Sequence, residues 1–150
     1  MARSYTEVDD KGFWCSDWLL AVAAALLGES LELAASLPEF AARLRLESTT
    51  APAGCISLRM NEHLADPIAA RTFEQLLSAL MLELQTRERV SAKVLHDRGV
   101  GGPGCTYVRD IPVTLLLEVY DAMADLVARR WPYDASDSPV LPTLPSDTGA

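Results

Sequence analysis

The longest apolar run in the chain, from Trp18 to Leu27, has ten uncharged residues and is headed by FWCSDWLL (13–20). A short segment that is apolar on nearly every side predicts a central helix over 17–27. Ser16 or Asp17 can cap its start, and Asp17 answers the positive end of the helix dipole. Gly28 can close it in a left-handed conformation. Trp14 and Trp18 stand four apart and share a face if the helix begins early enough. ESLELAASL continues for two turns with Leu31, Ala34, Ala35 and Leu37 inward, and Pro38 opens a helix whose inner face is Phe40, Ala41 and Leu44. STTAPAGC (48–55) reads as a loop, whereas ISLRM (56–60) alternates in the manner of a short strand.

Two stronger periodic segments follow. In DPIAARTFEQLLSALMLELQTRE, Asp66 caps, Pro67 takes the first helical position, and Ala69, Phe73, Leu76, Leu77, Leu80 and Leu84 recur at threes and fours, predicting a helix near 67–86. ERVSAKVLHDRG predicts a shorter helix with Val90, Val94 and Leu95 inward, stopping at Gly99. After the loop GVGGPGCTYVR, DIPVTLLLEVYDAMADLVARRW predicts a helix near 111–130. Asp110 would cap it, Leu115, Val119, Met123, Leu126 and Val127 would be buried, and Arg129 and Arg130 suit its negative end. From Pro132 onward there are four prolines and no apolar period, which reads as a mobile tail. The expected architecture is therefore mainly all-α. It comprises an N-terminal arm (1–11), one compact helical bundle (12–131) with a short strand or hairpin at 56–60 or 105–109, and a disordered, acidic, proline-rich C-terminal tail (132–150).

Composition agrees with one helical domain: alanine and leucine dominate, while β-branched and aromatic residues are scarce. Ten uncharged residues fall far short of the ~20 that span a bilayer. The first 17 residues carry Arg3 and Lys11 against Glu7, Asp9, Asp10 and Asp17, the wrong sign for an export signal. A net charge of −8 argues against nucleic-acid backbones and anionic membranes and favours a basic protein surface. Cys15, Cys55 and Cys105 form neither a disulfide framework nor a zinc pattern, which suits a reducing cytoplasm.

No motif for cofactor or metal binding stands out. GVGGPGCT (99–106) lacks the lysine of a phosphate loop and follows a helical pattern, so it reads as a connection. Neither His63 nor His96 is brought to a cysteine by spacing, and no second pair completes a zinc site around Cys55 and His63. Glu118, Asp121 and Asp125 fall at i, i+3 and i+7, forming an acidic ribbon opposite the buried stripe. Such a ribbon is ordinarily a solvated helix face, and its functional reading is a docking strip for a partner's lysines and arginines. Most aromatics read as core anchors, with Trp131 packing back as a clamp. Tyr107, in the glycine loop, is the aromatic expected at the surface as a binding anchor.

The order FWCSDWLLAVAAALL, then GCISLRMNEHLADP, then VLHDRGVGGPGCTYVRDIPVTLLLEVYDAMADLV resembles small bacterial immunity proteins that neutralise polymorphic or type VI secreted toxins. The likeness covers most of 12–131 in pattern and composition, and departs from the family at GGPGCTYV, where an added proline and cysteine interrupt the loop. It implies a non-enzymatic inhibitor of a cognate toxin, with Tyr107, Glu118, Asp121 and Asp125 facing the partner. Two alternatives use other features: an adaptor or secretion chaperone with an exposed apolar groove, and an enzyme with carboxylates around His63.

Overall fold

The computed structural model describes residues 3–50, 57–102 and 107–143. It corrects the all-α expectation: the fold is mixed, with 16% of the described residues in strand, arranged as a four-stranded and a two-stranded sheet. The elements are β1 (Arg3–Val8), β2 (Lys11–Ser16), α1 (Asp17–Leu33), α2 (Pro38–Thr50), β3 (Ser57–Arg59), α3 (Asn61–Leu64), α4 (Pro67–Leu84), β4 (Arg89–Val90), α5 (Ala92–Asp97), β5 (Ile111–Pro112), α6 (Val113–Val127) and β6 (Val140–Leu141).

The expected N-terminal arm is a β-hairpin. RSYTEV and KGFWCS pair antiparallel from Arg3↔Ser16 to Val8↔Lys11, with Asp9 and Asp10 as the two-residue turn. Asp9 adopts a positive φ of 55°, which aspartate tolerates better than most residues. Strand-forming Tyr5, Thr6, Val8, Phe13 and Trp14 fill the pair. Ser4, Thr6, Val8, Phe13 and Cys15 are buried on the helix side, while Tyr5, Glu7 and Trp14 are half-buried on the other. Trp14 therefore lies on a strand and shares no helical face with Trp18.

The sheet order is β3-β1-β2-β6, with β3 parallel to β1 and β6 parallel to β2. The alternation read in ISLRM is strand β3 over Ser57–Arg59, and Tyr107 and Val108 lie outside any strand. Residues 105–106 lie outside the described segments.

The C-terminal segment is the second correction. Gly12 N–H donates to the Tyr133 carbonyl at 3.1 Å, Trp14 N–H to Ser138 Oγ at 3.4 Å, and the indole of Trp14 to the Ala135 carbonyl at 2.8 Å. Val140 and Leu141 then pair with Trp14 and Cys15, and Leu141 is buried. The open edge of β2 carries unpaired backbone groups that a proline-rich segment can satisfy through its carbonyls and one serine. A search for apolar periodicity cannot see such a role.

α1 is the hub of the helical layer, with ten buried residues from Asp17 to Leu31. It runs past Gly28 to Leu33, because Gly28 is where α2 approaches: a Cβ there would lie 3.3 Å from Leu44 Cβ. No side chain caps its start. Asp17 instead accepts a buried hydrogen bond from Ser4 Oγ at 2.5 Å, tying β1 to α1. α4 and α6 follow their predicted spans closely. Asp66 caps α4 through Ile68 N–H at 3.2 Å, whereas Asp110 accepts from Ala92 N–H and leaves α6 to begin after Pro112. Tyr120 is wholly buried, and its hydroxyl donates to the Ala23 carbonyl at 2.7 Å, joining α6 to α1. Among the described residues, no helix is long and apolar enough to cross a membrane.

Leu141→Ala should cost about 2 kcal/mol or more in urea unfolding, the low end for a buried leucine, because the strap can relax. Tyr120→Phe should cost about 1 kcal/mol for its lost hydrogen bond. A loss below about 0.5 kcal/mol at Leu141 would mean that this side chain is not packed into the core.

Candidate functional site

The four residues expected to meet a partner have different surroundings. Tyr107 is half-buried against the core, and its hydroxyl donates to the Trp18 carbonyl at 3.0 Å. It anchors its segment to the start of α1, and Val108 beside it is the exposed side chain. Glu118 holds the end of the described chain, accepting from Thr143 N–H at 2.9 and 3.1 Å and from the Thr143 hydroxyl. Asp125 is half-buried and pairs with Arg130 at 3.2 Å. Asp121 is the exposed member of the ribbon, with its carboxyl raised above the ordinary carboxylate value by burial and by Asp125. The helix places all three on one side, but two of them have intramolecular work.

A second surface is formed by the outer face of the large sheet. Tyr5 and Trp14 are direct cross-strand partners, with ring centroids 4.8 Å apart and planes tilted by 45°. The tip of the Tyr5 ring lies over Gly12, where a Cβ would fall 2.5 Å from both Cζ and the hydroxyl oxygen. Glycine is required there because the ring and the Thr6 carbonyl, 2.4 Å from that Cβ position, occupy the space. The Trp14 indole is tethered to Ala135. Both rings are thus held in place while remaining half-exposed.

Carboxylates frame these rings. Burial, then Glu7, Asp134 and Asp10 together push the Tyr5 phenol above its ordinary value of 10.0. Asp134 is fixed by Ser136 N–H at 3.0 Å, Ser136 Oγ at 2.9 Å and Asp137 N–H at 3.1 Å, and these bonds hold its carboxyl below the usual range. Asp10 and Asp137 are exposed. The nearby cations are partly occupied: Arg59 reaches Glu7 and Glu62 at 3.8 Å, Arg129 pairs with Asp9, and Lys11 Nζ donates to the Pro132 carbonyl at 3.3 Å. The face combines an aromatic floor with a carboxylate frame, which suits a positively charged protein group. Its signal was present in the sequence as two six-residue runs around an Asp-Asp turn, with Tyr5 in the first and Phe13 and Trp14 in the second.

The chemistry weighed around His63 is arranged differently. Its ring stacks on Phe40 at 4.9 Å, Glu62 pairs with Arg59, and Asp66 caps α4. Cys15 is fully buried, and burial, Asp17 and Glu118 push its thiol up, away from the nucleophilic thiolate. Cys55 and Cys105 lie outside the described residues. Among the described residues, no group of three His, Cys, Asp or Glu side chains could hold a metal. A groove of about 330 Å³ lies between α1, α4 and α5, and its rim is engaged in the pairs Arg87–Glu83 and Arg98–Glu29.

Gly12→Ala should destabilise the protein by about 1–3 kcal/mol, the usual cost of overpacking, and displace the Tyr5 ring. A neutral result in chemical denaturation would mean that the ring does not lie over Gly12. Tyr5 should titrate above 10.0 in ultraviolet phenolate titration, and replacing Asp10 and Asp134 by asparagine should bring it back toward that value. Unfolded tyrosine ionises first, so this contribution to stability is full below 10.0 and is lost as the pH rises through the higher folded value. An unchanged Tyr5 titration in the double variant would remove those carboxylates from its surroundings.

Comparison with known proteins yields no relative: no family model matches the chain, and no curated protein or solved structure matches it.

Proposed function

We propose that this protein is a non-enzymatic binding module of the immunity type, which holds a basic bacterial toxin in an inactive complex in the cytoplasm. The observation that carries the reading is the outer sheet face, where tethered Tyr5 and Trp14 are framed by Glu7, Asp10 and Asp134. Aromatic anchors supply contact area with little rotamer entropy to lose, and surrounding charge speeds encounter and selects the sign of the partner. The net charge of −8 extends this attraction over the whole molecule. The pattern resemblance to toxin-neutralising immunity proteins points in the same direction.

The sheet face is favoured over the α6 ribbon because Glu118 and Asp125 already bind Thr143 and Arg130. Asp121 and Asp125 would then contribute at the margin of the contact, and Tyr107 would stabilise the fold behind it.

The test uses the protein encoded beside this one, purified in both partners' full-length forms, with association measured at low and high salt. Asp10→Lys with Asp137→Lys should slow association by about tenfold or more and flatten its salt dependence, as expected for charges that steer encounter. Asp121→Lys with Asp125→Lys should have a smaller effect. Equal rates for wild type and the first double variant would remove the sheet face from the interface. Failure of the wild type to bind or silence its neighbour's product would overturn the inhibitor reading.

A further inference from the structure

The sheet face has enough local construction to specify what it takes from a partner. We infer that Tyr5, Trp14, Asp10 and Asp134 form a subsite for one arginine side chain of the bound protein, its guanidinium stacked on the aromatic pair and forked to a carboxylate. This inference rests on the proposed function for the origin of the arginine, but the subsite is a property of the protein alone.

Three features support it. The indole is a favourable surface for a cation, and its N–H is already spent on the Ala135 carbonyl at 2.8 Å, so the ring has a fixed orientation and its π-face is what remains for a ligand. The Tyr5 ring, 4.8 Å away and tilted by 45°, widens that floor, and Gly12 beneath its tip allows it to lie close to the strand. Asp134 lies between Tyr133 and Ala135, whose carbonyls accept from Gly12 N–H and the Trp14 indole, and its three hydrogen bonds from Ser136 and Asp137 set its position before any ligand arrives. Charge, stacking surface and preorganisation thus converge at one place.

Guanidinium fits this arrangement better than ammonium. Its planar, weakly hydrated group stacks on an aromatic face while its in-plane N–H donors remain available to a carboxylate, whereas ammonium is compact and keeps its water. The chain's own cations have other partners: Arg59 reaches Glu7 and Glu62, Arg129 pairs with Asp9, and Lys11 donates to the Pro132 carbonyl, though it also lies near enough to help hold the Asp134 carboxyl down and so competes there. Arg3, exposed on the outer face of β1 and two residues from Tyr5, is a second native group able to compete.

The experiment is a titration of the isotopically labelled full chain with N-acetyl-arginine amide, read from the assigned tryptophan indole N–H signals. N-acetyl-citrulline amide, which has nearly the same shape and no charge, is the matched probe. The arginine derivative should shift the Trp14 indole saturably, with Trp18 and Trp131 responding far less, and citrulline should bind at least tenfold more weakly. Asp10→Asn with Asp134→Asn should weaken the arginine effect at least threefold while the remaining spectrum stays that of the folded protein. Equal effects of the two probes, a response centred on Trp18 or Trp131, or no saturable shift would overturn the subsite. In the complex, the arginine derivative should slow association with the neighbouring gene product. Specific probe binding without any effect on that association would overturn the subsite's role in the interface, while failure to find a protein partner would leave the probe result intact and count against the inhibitor reading.

Discussion

The fold depends on covering a helix that carries no polar side chain from Trp18 to Gly28. Along α1, Leu19 to Ala24, Leu27, Gly28 and Leu31 are buried, so apolar surface must be supplied from several directions at once. α2 covers one side by approaching at Gly28, α6 another by way of Tyr120, and α4 a third. The hairpin closes the remaining side with Phe13 and Cys15. Each Å² of apolar surface removed from water contributes roughly 25 cal/mol, so leaving any side of this helix uncovered would be costly. The polar link between Ser4 and Asp17 fixes how the hairpin meets the helix.

Covering α1 with a sheet has a consequence on the opposite surface. Alternation that directs Thr6, Phe13 and Cys15 inward necessarily directs Tyr5, Glu7 and Trp14 outward. The open edge of β2 also has to be satisfied, and the segment from Tyr133 to Leu141 does this. That same segment brings Asp134 and Ala135 to the aromatic pair. The proposed docking face thus arises from two needs of the fold: burying α1 and closing the sheet's edge.

Helical periodicity made much of this fold legible. The start of α1, the spans of α4 and α6, the cap at Asp66, and the burial of Phe40, Leu44, Leu80 and Met123 follow from spacing and local chemistry, whereas α1 runs past the stop expected at Gly28. The hairpin was less legible because its second strand runs into the apolar helix without a break, so Phe13 and Trp14 look like a helix head. Residues 132–143 were illegible for another reason. Their contribution is made by backbone carbonyls, Ser138, Leu141 and Thr143, none of which leaves a period in the sequence. The acidic ribbon was correctly located on one helix, but spacing could not foresee that Thr143 would occupy Glu118. Nor could it foresee that Tyr107 would turn inward to Trp18.

The most direct measurement is hydrogen–deuterium exchange of this protein with and without the protein encoded beside it. Slowed exchange on binding is expected in residues 3–16 and 132–138, the two segments that build the outer sheet face. Protection confined to α6, or to the groove between α1, α4 and α5, would contradict docking on the sheet and require the partner to be placed elsewhere.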